Sequence, residues 1–291
     1  METNEKNKRQ EIVKPTWLRV RYNPSEVNEV YSLTDSLRLN TVCRSANCPN
    51  IGECSRHHTA TFMILGSVCT RNCRFCDISH AHGDLMKPDP EEPHKIALAA
   101  KKLGLHHVVV TCVTRDDLPD GGAAQFASVI REIRSENPSS TVEVLISDMQ
   151  GSHDALDTIM AERPDVLNHN IETVRELYEK VRPGADYLRS LDVLRYCAGF
   201  KTSRVKTGFM VGLGETDEQI LRLMHDVRET GCDLLTIGQY LRPTPEHAPL
   251  SRYVTPEEFA AYRESAMKLG FRGVAAAPLA RSSYMAAEMI K

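Results

Sequence analysis

No stretch of the 291 residues is long and apolar enough to span a membrane. The opening "METNEKNKRQEIVKP" lacks the apolar run of a signal peptide and reads as a polar arm over residues 1–15. Together these absences point to a cytoplasmic chain with no membrane partner. A global basic field is missing too: 36 Lys and Arg against 39 Asp and Glu leave a net charge of −3, so nothing in the overall charge attracts nucleic acid. No internal repeat and no low-complexity linker interrupts the chain. No glycine-rich dinucleotide fingerprint follows the first strand-like run, which removes the best support for a Rossmann domain.

What is present is first of all cysteine. Six of the nine lie between residues 43 and 76, while Cys112, Cys197 and Cys232 are scattered. In a chain without an export signal a disulfide framework is not expected, so the clustered thiols point to metal and the scattered ones to small buried hydrophobes.

Behind the cysteines, strand-like and helix-like patterns alternate. Apolar, β-branched runs occupy 60–68, 106–114, 141–148, 165–172, 204–214 and 233–241, and helical periodicity occupies 91–104, 123–136, 152–163, 185–199, 217–231 and 255–269. Thr216 with Asp217 and Glu218, and "TPEEF" from Thr255, have the composition of helix starts. Six strand–helix units in strict alternation predict a parallel sheet, and a curved partial (β/α)6 barrel fits them best. Polar residues follow every predicted strand: Cys69 to Cys76, "TRDDLPDGG" (114–122), Asp148, His169 with Asn170 and Glu172, "GLGE" (212–215), and Gln239 with Tyr240. In parallel α/β barrels that rim carries the chemistry. The expected division is a cysteine-bearing N-terminal extension over 1–58, the barrel over 59–275 and a short C-terminal tail over 276–291.

The loop "CTRNCRFCDISH" holds Cys69, Cys73 and Cys76 with three and then two residues between them. Structural zinc takes four protein ligands, usually as two separated pairs; His80 is the available fourth for that alternative. A four-iron, four-sulfur cluster on three thiolates explains the missing fourth ligand, because one iron stays open for another molecule. The earlier group, Cys43, Cys48 and Cys54 in "TVCRSANCPNIGEC", leaves a zinc knot with His57 or His58 open on its own residues. "GLGET" (212–216) reads either as a place of close backbone approach to a ligand or as a plain strand-to-helix turn.

The C-x3-C-x2-C loop after the first barrel strand resembles that of the radical S-adenosylmethionine (SAM) enzymes. With the C-x4-C-x5-C group ahead of it, the chain resembles the lipoyl synthases specifically. The likeness continues through "KPTWLRV", "CPNIGEC", "TATFMILG", "RDDLPDGGA", "HNIETV", "MVGLGET", "TIGQYLRPT" and "RSSY". It implies two 4Fe-4S clusters and SAM as cofactors. Cys69, Cys73 and Cys76 would hold the SAM-cleaving cluster. Cys43, Cys48 and Cys54, with Ser283 of "RSSY" as an unusual oxygen ligand, would hold an auxiliary cluster that donates sulfur. The implied reaction inserts sulfur at C6 and C8 of an octanoyl chain on a lipoyl-carrier domain. Radical chemistry suits it, since no side-chain base approaches the pKa of such a C–H bond. Asp116, Asp117, Asn170, Glu172 and Arg281 become candidates for SAM contacts, and Arg115, Arg242 and Arg281 for orienting a carboxylate.

Partners implied by the resemblance are the octanoylated carrier domains of 2-oxoacid dehydrogenases (E2) and the glycine cleavage H protein. A small electron donor (ferredoxin or flavodoxin) and an iron–sulfur cluster carrier complete the set, around an expected monomer. The chain departs from the family pattern at Arg44, Ser45, Ser55, Ser147 and Ala277, none of them a proposed ligand. Two readings compete: a radical SAM enzyme inserting sulfur into RNA, and a binding module with zinc at both cysteine groups. The first normally brings an RNA-contacting domain, and no basic appendage is found here.

Overall fold

The structure, a computed structural model, describes residues 13–20, 24–45, 48, 50–56, 61–81, 85–284 and 286–289. The first twelve residues of the expected arm, and His57 and His58, lie outside the described residues.

Eight strands form one sheet in sequence order: β1 (Asn40–Thr41), β2 (Thr61–Ile64), β3 (His107–Cys112), β4 (Thr141–Leu145), β5 (Val166–Asn168), β6 (Arg204–Val211), β7 (Leu234–Gln239) and β8 (Gly273–Ala277). β1 runs antiparallel to β2, and every other pair is parallel. The helices are α1 (Pro24–Ser36), α2 (Val42–Ser45), α3 (Ile51–Arg56), α4 (Glu92–Lys102), α5 (Ala123–Glu136), α6 (His153–Met160), α7 (Tyr178–Val181), α8 (Tyr187–Gly199), α9 (Asp217–Glu229) and α10 (Pro256–Lys268). Six units, β2–α4, β3–α5, β4–α6, β5–α8, β6–α9 and β7–α10, realise the expected alternation. β8 and β1 are additions at the two edges, so the barrel is partial.

Local chemistry explains why these segments take their forms. β3, "HVVVTC", is buried almost throughout, as a parallel strand covered on both faces must be. α9 and α10 start at full capping boxes, with Thr216 and Thr255 accepting from the amides three residues on and Gln219 and Glu258 answering back. β8, "GVAAA", offers no β-branched run beyond one valine, and β1 is two residues long; neither carries a pattern that sequence reading detects.

The register divides each strand into two faces. Phe62, Val110, Val144, Leu167, Val205 and Ile237 join the main apolar core with residues of α4, α5 and α9. The alternate positions form one continuous layer across paired neighbours: Val109↔Glu143, Asn168↔Lys206, Gly208↔Thr236 and Met210↔Gly238. Glu143 of β4 and Lys206 of β6 meet at 3.0 Å although β5 lies between their strands. That layer therefore lies on the concave side. It holds the polar or small Glu143, Asn168, Lys206, Gly208, Thr236 and Gly238 beside apolar Val109 and Met210, whereas the outer positions named above are all apolar.

Candidate active site

The loop from Cys69 to Cys76 leaves β2 and is pinned by main-chain bonds from several directions. The Cys69 amide donates to Ser79 O (2.8 Å) and Cys69 O accepts from Ala81 (3.1 Å), which closes the loop on itself. Thr70 N donates to Thr114 O beyond β3 (3.0 Å), Arg74 N to Val181 O (2.8 Å), and Ala248 N to Arg74 O (2.7 Å). The three thiols are half-buried and free of disulfides, and His80, the alternative zinc ligand, is exposed. Among the described residues no three of His, Cys, Asp or Glu are gathered around a single-ion site.

Arg71, between Cys69 and Cys73, organises this end of the barrel. Its guanidinium bonds Asp116 through Nε (2.6 Å) and Nη2 (2.8 Å), and Asp148 through Nη1 (3.0 Å) and Nη2 (2.6 Å). Its amide points at Cys69 Sγ (3.4 Å). One buried cation thus ties the cysteine loop to the loops after β3 and β4. Planar, bidentate recognition of two carboxylates is what a guanidinium supplies and an ammonium does not. Asp117, by contrast, takes both its bonds from Arg115 (2.8 and 2.7 Å), and Arg115 also donates to Leu65 O (3.2 Å). Arg242 folds back onto carbonyls of its own loop at His247 and Pro245.

Burial pushes the Cys73 thiol up to about 11; Arg182 works against that shift, while Glu172 and Cys69 add to it. Burial also raises Cys76 to about 12, with Cys73 and Cys69 contributing. Arg182 is itself buried and donates to Asn170 O (3.0 Å) and Tyr178 Oη (2.6 Å). Glu172 is in a left-handed conformation (φ 69°), and burial raises its carboxyl against the opposing influence of Arg182, the Asn170 amide and Arg281. Glu172, Arg182 and Arg281 thus form one charged group with the Asn170 amide among them, and Glu172 and Arg182 act on Cys73. His169 faces elsewhere. Its Nδ1 lies 3.1 Å from Ile146 O, which can only accept, so Nε2 is left to accept from Ser190 Oγ at 3.0 Å.

Of the other cysteine group Cys43 lies on α2, Cys54 on α3 and Cys48 between them in the sequence, and the structure brings the C-terminal tail to it. Asn50 Nδ2 donates to Leu279 O (2.7 Å), and Tyr284 Oη donates to Glu53 Oε2 (2.9 Å), one residue before Cys54. Burial lowers the pKa of Arg281, and the proximity of Cys48 and Glu172 opposes that shift. Burial raises Cys43 to about 11, helped by Cys48, and raises Cys54 to about 12, helped by Cys43 and Cys48. Ser283 is the middle residue of the turn Ser282–Tyr284, closed by Tyr284 N on Arg281 O (2.9 Å). More than two hundred residues of sequence separate these segments, and the fold sets them side by side.

"GLGET" resolves as a turn closed by its own acid: Glu215 accepts from Gly212 N (2.5 Å) and Leu213 N (2.9 Å). Gly212 (φ +102°) has no room for a Cβ, because Gln239 Nε2 would stand 2.3 Å away and Arg252 O 2.6 Å away. The close approach is made by the protein's own chain. Of the scattered cysteines, Cys197 and Cys232 are buried in the core, and Cys112 packs half-buried against it. Sequence reading missed Glu143, Arg182 and Lys206. For Glu143 and Lys206 a signal existed, a lone charge inside "TVEVL" and inside "RVKTGFM", where an apolar strand should not tolerate one.

A curved parallel sheet with a cysteine loop at its rim is the architecture of the radical SAM enzymes, and the Radical SAM superfamily model matches residues 63–227. Solved structures share that fold at low identity. HydG, a maturase of the FeFe-hydrogenase, superposes with TM-score 0.57 at 14% identity, over 89% of this chain and 63% of that one. Methylornithine synthase gives 0.52 at 15% identity, over 88% and 79%. Far closer in sequence is the lipoyl synthase of Caldanaerobacter subterraneus subsp. tengcongensis, 52% identical over 276 residues, 94% of this chain and 96% of that protein. The lipoyl synthase of Rubrobacter xylanophilus is 53% identical over 277 residues, 94% and 86% of the two chains. This chain belongs to the lipoyl synthase family.

Proposed function

We propose that this chain inserts sulfur at C6 and C8 of an octanoyl chain carried on a lysine of a lipoyl-carrier domain. The observation that carries the reading is the likeness to lipoyl synthases at about half identity along nearly the whole chain.

The residues fit the groups such an enzyme requires. Cys69, Cys73 and Cys76 are free thiols on a loop fixed from several sides, with the cations Arg71 and Arg182 acting on the Cys73 thiol. Metal binding deprotonates thiols, and cations at hand favour the thiolate form. Cys43, Cys48 and Cys54 are free as well, and the tail bearing Ser283 is bonded to α3 beside Cys54. In this reading the first set and the second set with Ser283 each hold a 4Fe-4S cluster. When bound, the clusters and SAM supply the one-electron chemistry that breaks unactivated C–H bonds, and the sulfur that replaces hydrogen.

The chain's own residues bind and orient. Asn170, Glu172 and Arg281 stand at the strand ends beside Cys73, where the amino and carboxylate groups of SAM require opposite charges. Asp116 acts chiefly through Arg71, holding the cysteine loop in place. Asp117 keeps Arg115 against β2 and remains a candidate for the ribose. The division into an extension over 1–58, a barrel over 59–275 and a tail over 276–291 belongs to the same proposal. So do the partners: octanoylated E2 and H-protein domains, a ferredoxin or flavodoxin, and a cluster carrier. Among the described residues no helix is long and apolar enough to cross a membrane, in keeping with a cytoplasmic site of action.

The test is anaerobic incubation of reconstituted protein with SAM, a reductant and an octanoyl-lysyl peptide, read by mass spectrometry. A peptide gaining two sulfurs with release of 5′-deoxyadenosine is the expected result. SAM cleavage with an unchanged peptide would remove the substrate assignment, and neither product from iron-loaded protein would remove the enzyme assignment.

A further inference from the structure

We propose that Lys206 is a positioning residue: anchored by Glu143 on the concave face, its ammonium latches the Arg281–Tyr284 turn over the ends of β5, β6 and β7. Lys206 is wholly buried, and its Nζ lies 3.0 and 3.3 Å from the two oxygens of Glu143. Another N–H of the same ammonium goes to the main-chain carbonyl of Ser282, at 2.5 Å. A buried ammonium has three donors and no acceptor, and each donor left without a partner there costs free energy. Its anchor does not drift, because Glu143 is also bonded by Asn168 Nδ2 (3.1 Å) and His107 Nε2 (3.3 Å). Since the tail's contribution is a backbone oxygen, the bond fixes where the turn lies whatever side chain Ser282 carries.

The strands around Lys206 are shaped for the same purpose. Gly208, two residues along on the same face, would with a Cβ stand 3.1 Å from both Asn170 Oδ1 and Ser282 Oγ. Those two atoms form their own hydrogen bond at 2.9 Å. At Gly238 of β7 a Cβ would stand 2.3 Å from Ala280 O. Two glycines on adjacent strands thus leave a seat, and the ammonium between Glu143 and Ser282 holds the tail in it. An apolar pair at these positions would avoid the desolvation of two buried charges. What the ion pair adds is one fixed position for a carbonyl next to Ser283. The latch does not depend on what Ser283 binds; only its consequence, a Ser283 held ready beside the N-terminal cysteines, rests on the proposed function.

Hydrogen exchange tests it, on reconstituted anaerobic protein and on the metal-free chain. The variants are Glu143→Gln with Lys206→Met, which removes both charges together, and Gly238→Ala, which fills the seat without touching the pair. In both variants the peptide covering 279–289 is expected to exchange about tenfold faster or more, with peptides from β3, β4 and α5 unchanged. Folded variants whose tail exchanges at the wild-type rate would overturn the latch. So would equal acceleration throughout the barrel, the sign of a purely structural pair. The metal-free chain reads the latch alone. Whether iron loading slows the wild-type tail further, and fails to do so in Ser283→Ala, tests the ligand role separately.

Discussion

At the scale of single residues, charge burial decides most of what happens at the rim. Asp148 is buried, which by itself would raise its carboxyl, yet the bonds and charge of Arg71 hold it down at about 2. His169, buried and with the charge of Arg182 acting on it, is lowered to about 4. Both folded values lie below their unfolded ones, so each group stabilises the fold at neutral pH and loses that contribution as pH falls. For His169 the loss runs from about 6.5 to about 4, and for Asp148 from about 4 to about 2, where it amounts to roughly 2–3 kcal/mol. Urea unfolding of the metal-free chain should therefore show stability declining in two successive acid limbs. His169→Gln should flatten the upper one and Asp148→Asn the lower. A pH profile unchanged in both variants would refute the assignment. The Arg71 network was only partly legible in the sequence: Asp116 and Asp148 stand out after strands, but nothing in "CTRNC" says that its arginine reaches both.

Secondary-structure elements show where local chemistry suffices. The starts of α9 and α10 are written in Thr216 and Thr255, each with its glutamine or glutamate three residues on, and the structure contains both reciprocal bonds. Replacing Thr216 by alanine should cost about 1 kcal/mol, read as a lowered thermal midpoint with the active site intact. A midpoint shift of zero would mean that tertiary packing alone holds the helix end. All six expected helices and all six expected strands are found within a few residues of their predicted bounds. Sequence reading misses α1, which lies ahead of the first cysteine and carries no strong apolar stripe. β8 escaped because alanine and glycine carry little strand signal; pairing with β7 makes it a strand.

For the whole molecule, the consequential feature is the return of the Arg281–Tyr284 turn to α3, 231 positions earlier in the sequence. The tail crosses the strand ends, bonds Lys206 and Asn170, and reaches α3 through Tyr284. It thereby joins the end of β5 to the helix that carries Cys54; in the proposed function the two cysteine groups hold clusters with different tasks. Alanine at Cys43, Cys48 and Cys54 should abolish sulfur insertion while leaving some SAM cleavage; alanine at Cys69, Cys73 and Cys76 should abolish both. Product mass and released 5′-deoxyadenosine measure the two activities in one sample. Lipoyl product from the first set of variants would refute the sulfur-donor role.

The sequence by itself determined the alternation of strands and helices, their caps and the chemical identity of the six clustered thiols. These follow from periodicity, side-chain type and spacing, which act over a few residues. Tertiary structure decided which charges meet: Arg71 with Asp116 and Asp148, Lys206 with Glu143 and Ser282, Tyr284 with Glu53. Those partners lie 45 to 231 positions apart. No local pattern encodes such distances; the curvature of a parallel sheet brings its strand ends together, and the low tolerance of a protein interior for unpaired charge selects which side chains meet there.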